Sequence, residues 1–168
     1  MFKKLGLKYR TKRASRKRSD LIIQSEKISQ KVGIVTSKEI YKTSGFKTFI
    51  KKLSAQGMDT DILIFNEDLT SPPPSAQHYT KKDYSWSGKI KSPLVNKFIK
   101  TPFDFLFSVN TSSILHIENI LALSKAKCRI GTTTHTANEH LDFMVKVKEN
   151  SSIDKLTDSM LHYTEIQY

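Results

Sequence analysis

A strand–helix–strand pattern that occurs twice is the feature that most restricts how this chain can fold. In the second copy, residues 103–109 (FDFLFSV) are apolar at five of seven positions, which predicts a strand buried on both faces. Residues 110–112 (NTS) are favourable helix N-caps, and residues 114–121 place four large aliphatic side chains on one helical face. A second strand starts at residue 128 and ends at Gly131. Strands joined through a crossover helix are parallel, so the pattern predicts a parallel pair.

The first copy runs from a strand at residues 31–36 (KVGIVT) to a strand at residues 61–66 (DILIFN). Thr43 or Ser44 can cap the helix between them, and Gly57 is placed to end it. This segment is therefore a second complete βαβ unit.

The alternation of strands and helices predicts an α/β fold: a three-layer, mostly parallel open sheet, Rossmann-like and forming a single domain. The length of 168 residues suits one domain, which we assign to residues 21–168. Residues 141–147 predict its last strand, and residues 151–152 (SS) are expected to cap its final helix. We expect Phe105 and Ile117 to be buried together where the strand and the helix of the second unit meet.

Residues 67–101 are the least regular part of the chain, and we interpret them as an irregular insertion. Three consecutive prolines within residues 71–75 (SPPPS) exclude regular helix or strand there. A short edge strand at residues 89–91 and a short helix at residues 94–101 are the regular elements that we expect.

Aromatic and basic residues are mixed between residues 79 and 91. Tyr84 and Trp86 can stack on unpaired bases while lysines meet phosphates, so Lys81, Lys82 and Trp86 form a candidate nucleic-acid surface. We favour the alternative in which Trp86 anchors a long loop on the core.

The positive charge of the chain is concentrated at its start. The formal net charge is +12, yet the 150 residues from 19 onward carry only +3. Residues 1–20 are interpreted as a basic N-terminal extension compatible with helix, and a helix over residues 19–30 is expected to pack on the domain. The first 18 residues contain nine basic residues and no acidic one: Lys3, Lys4, Lys8, Arg10, Lys12, Arg13, Arg16, Lys17 and Arg18.

A basic block of this kind is typical of proteins that bind nucleic acid or an anionic membrane. Membrane binding would use Phe2, Leu5 and Tyr9 as inserting side chains, with the basic cluster meeting anionic lipid. A solvated, solubilising tail is the remaining alternative.

The groups that catalysis and cofactor binding need are not assembled in the sequence. No two of the six glycines lie close enough for a dinucleotide-binding or Walker-type phosphate loop. His135, Glu139 and His140 resemble a metal-binding spacing, but the polar segment around them is predicted as a loop, where helical spacing has no meaning. We therefore predict no catalytic residues, no metal and no cofactor.

Two polar positions have a second interpretation as binding sites. Ser44-Gly45 at a helix start can hold an anion through backbone N–H groups, although a helix cap is the simpler explanation. Ser37 and Asn110 follow predicted parallel strands, where open α/β sheets bind ligands, but Asn110 also suits a cap.

The single cysteine, Cys128, excludes an internal disulfide and indicates a reducing compartment. It lies in a predicted strand and is interpreted as a small core residue. No apolar run approaches the ~20 residues that span a membrane, and no secretory signal is recognised. We expect a cytoplasmic protein without a transmembrane segment.

Residues 103–131 resemble the N-terminal domain of heptosyltransferase-type glycosyltransferases, in which a strand like FDFLFSV leads to a helix, a small-residue turn and a strand ending in Arg-Ile-Gly. This resemblance implies a fold and a nucleotide-sugar-binding alternative. The whole chain also resembles a small uncharacterised family of bacterial α/β proteins with basic N-termini, which implies a cytoplasmic setting and no particular activity.

The leading hypothesis is a non-enzymatic, RNA-associated protein that binds ribosomal RNA or the ribosome through its basic extension. The first alternative is a peripheral membrane protein that uses the same extension. The second is a small-molecule or nucleotide-sugar-binding domain that uses the strand ends near Ser37 and Asn110.

Overall fold

The computed structural model describes residues 30–67, 77–133, 138–146 and 151–165, and within these ranges it is built on one six-stranded sheet. The strand order is β3-β2-β1-β4-β5-β6, and every neighbouring pair is parallel. The strands are β1 (Lys31–Ser37), β2 (Asp59–Phe65), β3 (Gln77–Tyr79), β4 (Phe105–Val109), β5 (Cys128–Thr133) and β6 (Phe143–Lys146). The helices are α1 (Lys38–Tyr41), α2 (Ser44–Ala55), α3 (Pro93–Lys100), α4 (Leu115–Leu123) and α5 (Ile153–Glu165). The α/β class, the open parallel sheet and the Rossmann-like character are confirmed.

Helices cover both faces of the sheet and create two separate cores. One core joins α3 and α4 to the sheet through residues such as Phe98 and Ile120. The other joins α2 and α5 to the opposite face through residues such as Phe49 and Met160. The fold is therefore three-layered, as the burial of apolar side chains on both faces of β4 predicts.

The predicted contact between Phe105 and Ile117 is wrong. Both residues are buried, but Phe105 belongs to the core under α2 and α5, whereas Ile117 belongs to the core under α3 and α4. Side chains alternate between faces along a strand, and it is Leu106 that shares the core with Ile117. The residues were identified correctly as core, but they lie on opposite faces.

Two predicted boundaries also differ from the structure. The edge strand is Gln77–Tyr79, which was not predicted, whereas the expected strand at 89–91 contributes only an isolated antiparallel bridge between Tyr84 and Ile90. Helix α4 begins at Leu115 after Ile114, which makes no side-chain cap, so residues 110–112 do not cap it.

Several local predictions are confirmed. Thr43 caps α2, since its Oγ1 accepts a hydrogen bond from the backbone N–H of Phe46 at 3.2 Å. Gly57 follows α2 with a φ of 74°, a left-handed conformation that favours glycine. Ser152 precedes α5, and its Oγ accepts a hydrogen bond from the backbone N–H of Lys155 at 3.4 Å.

Some predicted elements lie outside the described residues. They are the basic extension at 1–20, all but the last residue of the helix predicted at 19–30, and the proline-rich stretch at 71–75. None of the helices in the described ranges has the length and apolarity needed to cross a membrane.

Candidate functional site

The carboxyl ends of β1 and β4 form the first candidate site. The strand order reverses between these neighbours, because the chain continues from β1 to β2 on one side and later returns to β4 on the other. Open α/β sheets bind ligands at such a switch point. Ser37 ends β1 and Asn110 follows β4, so the structure places these two predicted residues side by side.

Asn110 is buried and holds neighbouring strands together. Its Oδ1 accepts a hydrogen bond from the backbone N–H of Ser37 at 3.1 Å, and its Nδ2 donates to Oγ of Ser108 at 3.2 Å. Its backbone carbonyl accepts a hydrogen bond from Oγ1 of Thr132 at 2.6 Å. Asn110 therefore connects β1, β4 and β5, and its polar groups serve the sheet instead of facing a ligand.

The cavity beside Asn110, which lies between β4, β5 and α4, is small. A cavity of about 20 Å³ lies among residues that include Ser108, Ile117 and Leu141. This is room for about one water, whereas pockets for small organic ligands typically measure about 300–1,000 Å³. Leu141 lines this cavity and also packs closely on Gly131, where an added Cβ would lie 2.9 Å from a Leu141 methyl group. A nucleotide does not fit in the crevice as the structure shows it.

The second candidate, the start of α2 at Ser44-Gly45, is covered by α5. A Cβ added at Gly45 would lie 2.9 Å from Oδ2 of Asp154 and 3.0 Å from its backbone nitrogen. The Asp154 carboxylate therefore faces the N-terminus of α2. The positive end of a helix dipole stabilises a negative charge placed there. Gly45 permits this close helix–helix approach, and a phosphate has no room beside it.

The third candidate is the polar segment containing His135, Glu139 and His140. His135 lies outside the described residues, whereas His140 is buried and Glu139 is exposed. Burial lowers the pKa of His140, and the positive charge of Arg129 lowers it further. Among the described residues, no group of three or more His, Cys, Asp or Glu side chains is arranged to hold a metal ion.

Arg129 is the buried charge of this region, and sequence reasoning did not single it out. Its Nε lies 3.2 Å from Oδ2 of Asp142, and its Nη1 donates to the carbonyl of Leu121 at 3.1 Å. The Asp142 carboxylate also accepts the backbone N–H of Arg129 at 2.8 Å. The pair links β5, the end of α4 and the segment before β6, which is a structural role.

The fourth candidate, the aromatic and basic segment, separates into a buried and an exposed part. Tyr79 and Tyr84 are buried, and the Tyr84 ring packs edge-on against His116 with centroids 5.0 Å apart. Burial raises the pKa values of both tyrosine hydroxyls, so both stay protonated. Tyr84 is thus unable to stack on a base. Trp86, in contrast, is 79% exposed, so the interpretation that it anchors the loop on the core is wrong.

The lysines of this segment face solvent. Lys81 forms an ion pair with Glu67, and Lys82, Lys89 and Lys91 are exposed. Among the described residues, none of these last three forms an ion pair. The candidate surface residues Lys81, Lys82 and Trp86 therefore lie on one solvent-facing segment. The nine basic residues from Lys3 to Arg18 lie outside the described part of the chain.

A wider depression that sequence reasoning missed lies between α2 and α5. It is an open groove of about 470 Å³ lined by residues that include Ala55 and Leu161, and an ion pair from Lys52 to Asp158 at 2.5 Å borders it. No sequence pattern marks it, since its lining residues come from two separate helices.

Comparison with known proteins places the chain in one family. The model of a family of unknown function, DUF6913, matches residues 3–166. Neither the curated proteins nor the solved structures include a significant match to the chain.

Proposed function

This chain belongs to DUF6913, a family of unknown function, and from its charge distribution we propose that it is a non-enzymatic, RNA-associated protein. The proposed partner is RNA, with ribosomal RNA or the ribosome as the leading target. The proposed binding element is the basic extension, and the proposed setting is the cytoplasm.

One observation carries this proposal: nine basic residues and no acidic residue within residues 1–18, in front of a nearly balanced remainder. Each Lys or Arg that neutralises a phosphate releases condensed counterions, which makes such a block an effective binder of a polyanion. Abundant structured RNA is the commonest polyanion of the cytoplasm, so it is the first target that such a block meets.

The described body adds support in two ways. Its exposed lysines at 82, 89 and 91 supply positive charges in addition to those of the basic extension. The small cavity beside Asn110 weakens the alternative of a small-molecule or nucleotide-sugar-binding domain. That alternative came from an expected resemblance of residues 103–131 to heptosyltransferase-type enzymes, for which the comparisons give no evidence. We therefore propose a protein that binds its partner through exposed residues, and not one that encloses a substrate in the described part of its α/β body.

The experiment compares binding to ribosomes with binding to anionic vesicles. Full-length protein is sedimented with purified ribosomes, with nuclease-treated ribosomes, and with phosphatidylserine-containing liposomes. We expect co-sedimentation with ribosomes that nuclease treatment removes.

A double variant, Phe2→Ser with Leu5→Ser, keeps all nine charges and removes two inserting side chains. We expect it to bind RNA as the wild type does. The membrane alternative would replace the proposal if the wild type bound liposomes but not RNA, and if the double variant lost the binding to liposomes.

A further inference from the structure

The exposure of Trp86 is unusual among the large apolar side chains of this protein. Trp86 is 79% exposed, compared with 41% for Met144 and 36% for Leu94, the other exposed large hydrophobic residues among those described. Tryptophan typically contributes a large apolar area when it is buried, so leaving it in water forgoes that stabilisation. It is also the only tryptophan in the sequence.

A tight, hydrogen-bonded turn holds Trp86 at its tip. The carbonyl of Ser85 accepts a hydrogen bond from the backbone N–H of Gly88 at 3.0 Å, and the N–H of Ser85 donates to the carbonyl of Lys89 at 2.8 Å. Gly88 has a φ of 78°, as expected for the left-handed residue that closes a three-residue hairpin loop. Oγ of Ser85 accepts a further hydrogen bond from the N–H of Lys89 at 3.0 Å.

The base of the turn is fixed to the core. Tyr84 and Ile90 form an antiparallel bridge, and both are buried under the sheet face that α4 covers. The N–H of Lys91 donates to the carbonyl of Asp83 at 2.7 Å and continues the pairing. These hydrogen bonds hold the backbone of the turn in place. Little backbone conformational entropy is therefore lost when a ligand contacts its tip.

Three exposed lysines lie close to this turn in the sequence. Lys89 directly follows the turn, Lys91 lies two residues further along the same strand-like segment, and Lys82 precedes its base; all three side chains are exposed. A flat aromatic face flanked by lysines is complementary to a nucleotide, which pairs a π-face with a phosphate.

We propose that this turn is a stacking platform for an unpaired base, with Trp86 as the stacking side chain and Lys82, Lys89 and Lys91 as phosphate contacts. The inference rests on the proposed RNA binding and specifies the RNA as single-stranded or looped. A base within a duplex is stacked on both faces by its neighbours, so the indole can stack only on a base that is splayed out.

The platform and the extension are attached to different parts of the fold. Residues 1–29 join the described body at Gln30, beside the amino ends of β1 and β2, whereas the segment that carries Trp86 follows the carboxyl end of β3. The two elements can therefore be tested separately, the extension through its charge and the platform through its aromatic ring.

Because Trp86 is the only tryptophan, its fluorescence reports on the platform directly. Full-length protein is titrated with a single-stranded oligouridine RNA and with a perfectly paired RNA duplex of equal phosphate number, and binding is followed in parallel by anisotropy of labelled RNA. We expect the single strand to quench Trp86 emission and to protect it from acrylamide. The duplex should bind through the extension and leave Trp86 accessible.

Variants separate stacking from charge. Trp86→Ala should weaken single-strand binding by about 5- to 150-fold, the range for one aromatic–base stack, and should leave duplex binding and the salt dependence unchanged. Trp86→Phe should retain most of the affinity, and Leu94→Ala, at another exposed apolar position, is the matched control. Thermal unfolding should be unchanged in Trp86→Ala and in Trp86→Phe, since the Trp86 side chain is 79% exposed.

The outcomes distinguish the two proposals. Wild-type binding to single-stranded RNA without quenching of Trp86, and with unchanged affinity in Trp86→Ala, would overturn the platform and leave RNA binding by the extension standing. Failure of the wild type to bind either RNA would overturn the proposed function itself.

Discussion

Replacing Asn110 with alanine tests whether this residue holds the sheet together or serves a ligand. The change removes the acceptor for the backbone N–H of Ser37 and the donor to Oγ of Ser108, at 3.1 and 3.2 Å. A buried amide left without a partner costs about 1–3 kcal/mol, and a lost hydrogen bond costs about 0.5–1.5 kcal/mol. We therefore expect Asn110→Ala to lower the free energy of unfolding by about 1.5–4.5 kcal/mol, with a water entering the enlarged cavity setting the lower end.

The assay is equilibrium denaturation in urea, with the slope of the transition compared between variants. The matched control is Thr111→Ala, because Thr111 is the next residue and is exposed, so its replacement should change stability by no more than about 0.5 kcal/mol. RNA affinity should be the same in both variants at temperatures where they are folded. A loss of less than about 0.5 kcal/mol in Asn110→Ala would show that the hydrogen bonds of Asn110 do not hold these strands.

Three further predictions concern the core and its titration. Burial holds the pKa of His140 below the value of about 6.5 expected in the unfolded chain, so the unfolded state gains its proton first as pH falls. The denaturation midpoint should therefore drop as pH falls through about 6.5, and His140→Gln should flatten that dependence. The same dependence of the midpoint on pH in the wild type and in His140→Gln would contradict this prediction. Phe49 and Phe107 pack edge-on with ring centroids 5.3 Å apart, so a double-mutant cycle with leucine should give a coupling of about 0.5–1.5 kcal/mol, and strict additivity would disprove the contact. Gly33→Ala should cost about 1–3 kcal/mol in urea denaturation, because its Cβ would lie 2.7 Å from the ring of buried Phe103; a neutral effect would mean that the ring can move aside.

The parallel sheet was predictable because it depends on patterns that are local in the sequence. The run at 103–109 is apolar at five of its seven positions, and such a run is typical of a strand covered on both faces. Thr43 and Gly57 mark the ends of α2 through chemistry within a few residues of each. These features need no knowledge of the rest of the chain.

The face on which each side chain lies was not predictable from the same patterns. When both faces of a strand are apolar, the sequence does not say which face α4 covers. Phe105 was therefore predicted to contact Ile117, whereas Leu106 is the residue of β4 that lies in the same core as Ile117. The strand Gln77–Tyr79 has three residues, too few for a periodic signal.

The candidate site was predictable only in part. Ser37 and Asn110 were expected to lie together because parallel strands end at one edge, and they do. The hydrogen bond from the backbone N–H of Ser37 to Oδ1 of Asn110 was not predictable from the sequence. The pair Ser87-Gly88 is typical of a turn. Pairing Tyr84 with Ile90 across that turn would have placed Trp86 at its exposed tip.

The salt dependence of RNA binding tests the central claim most directly. Affinity for RNA should fall with salt with a log–log slope of about −0.7 to −0.9 per phosphate contact, so engagement of half of the nine basic residues gives roughly −3 to −4. Deleting residues 2–18 should flatten the slope by that amount and weaken binding by several orders of magnitude at low salt. The body should stay folded, because within the described ranges the residues of both cores lie at position 32 and beyond. An unchanged affinity and an unchanged slope in the deletion variant would contradict the account.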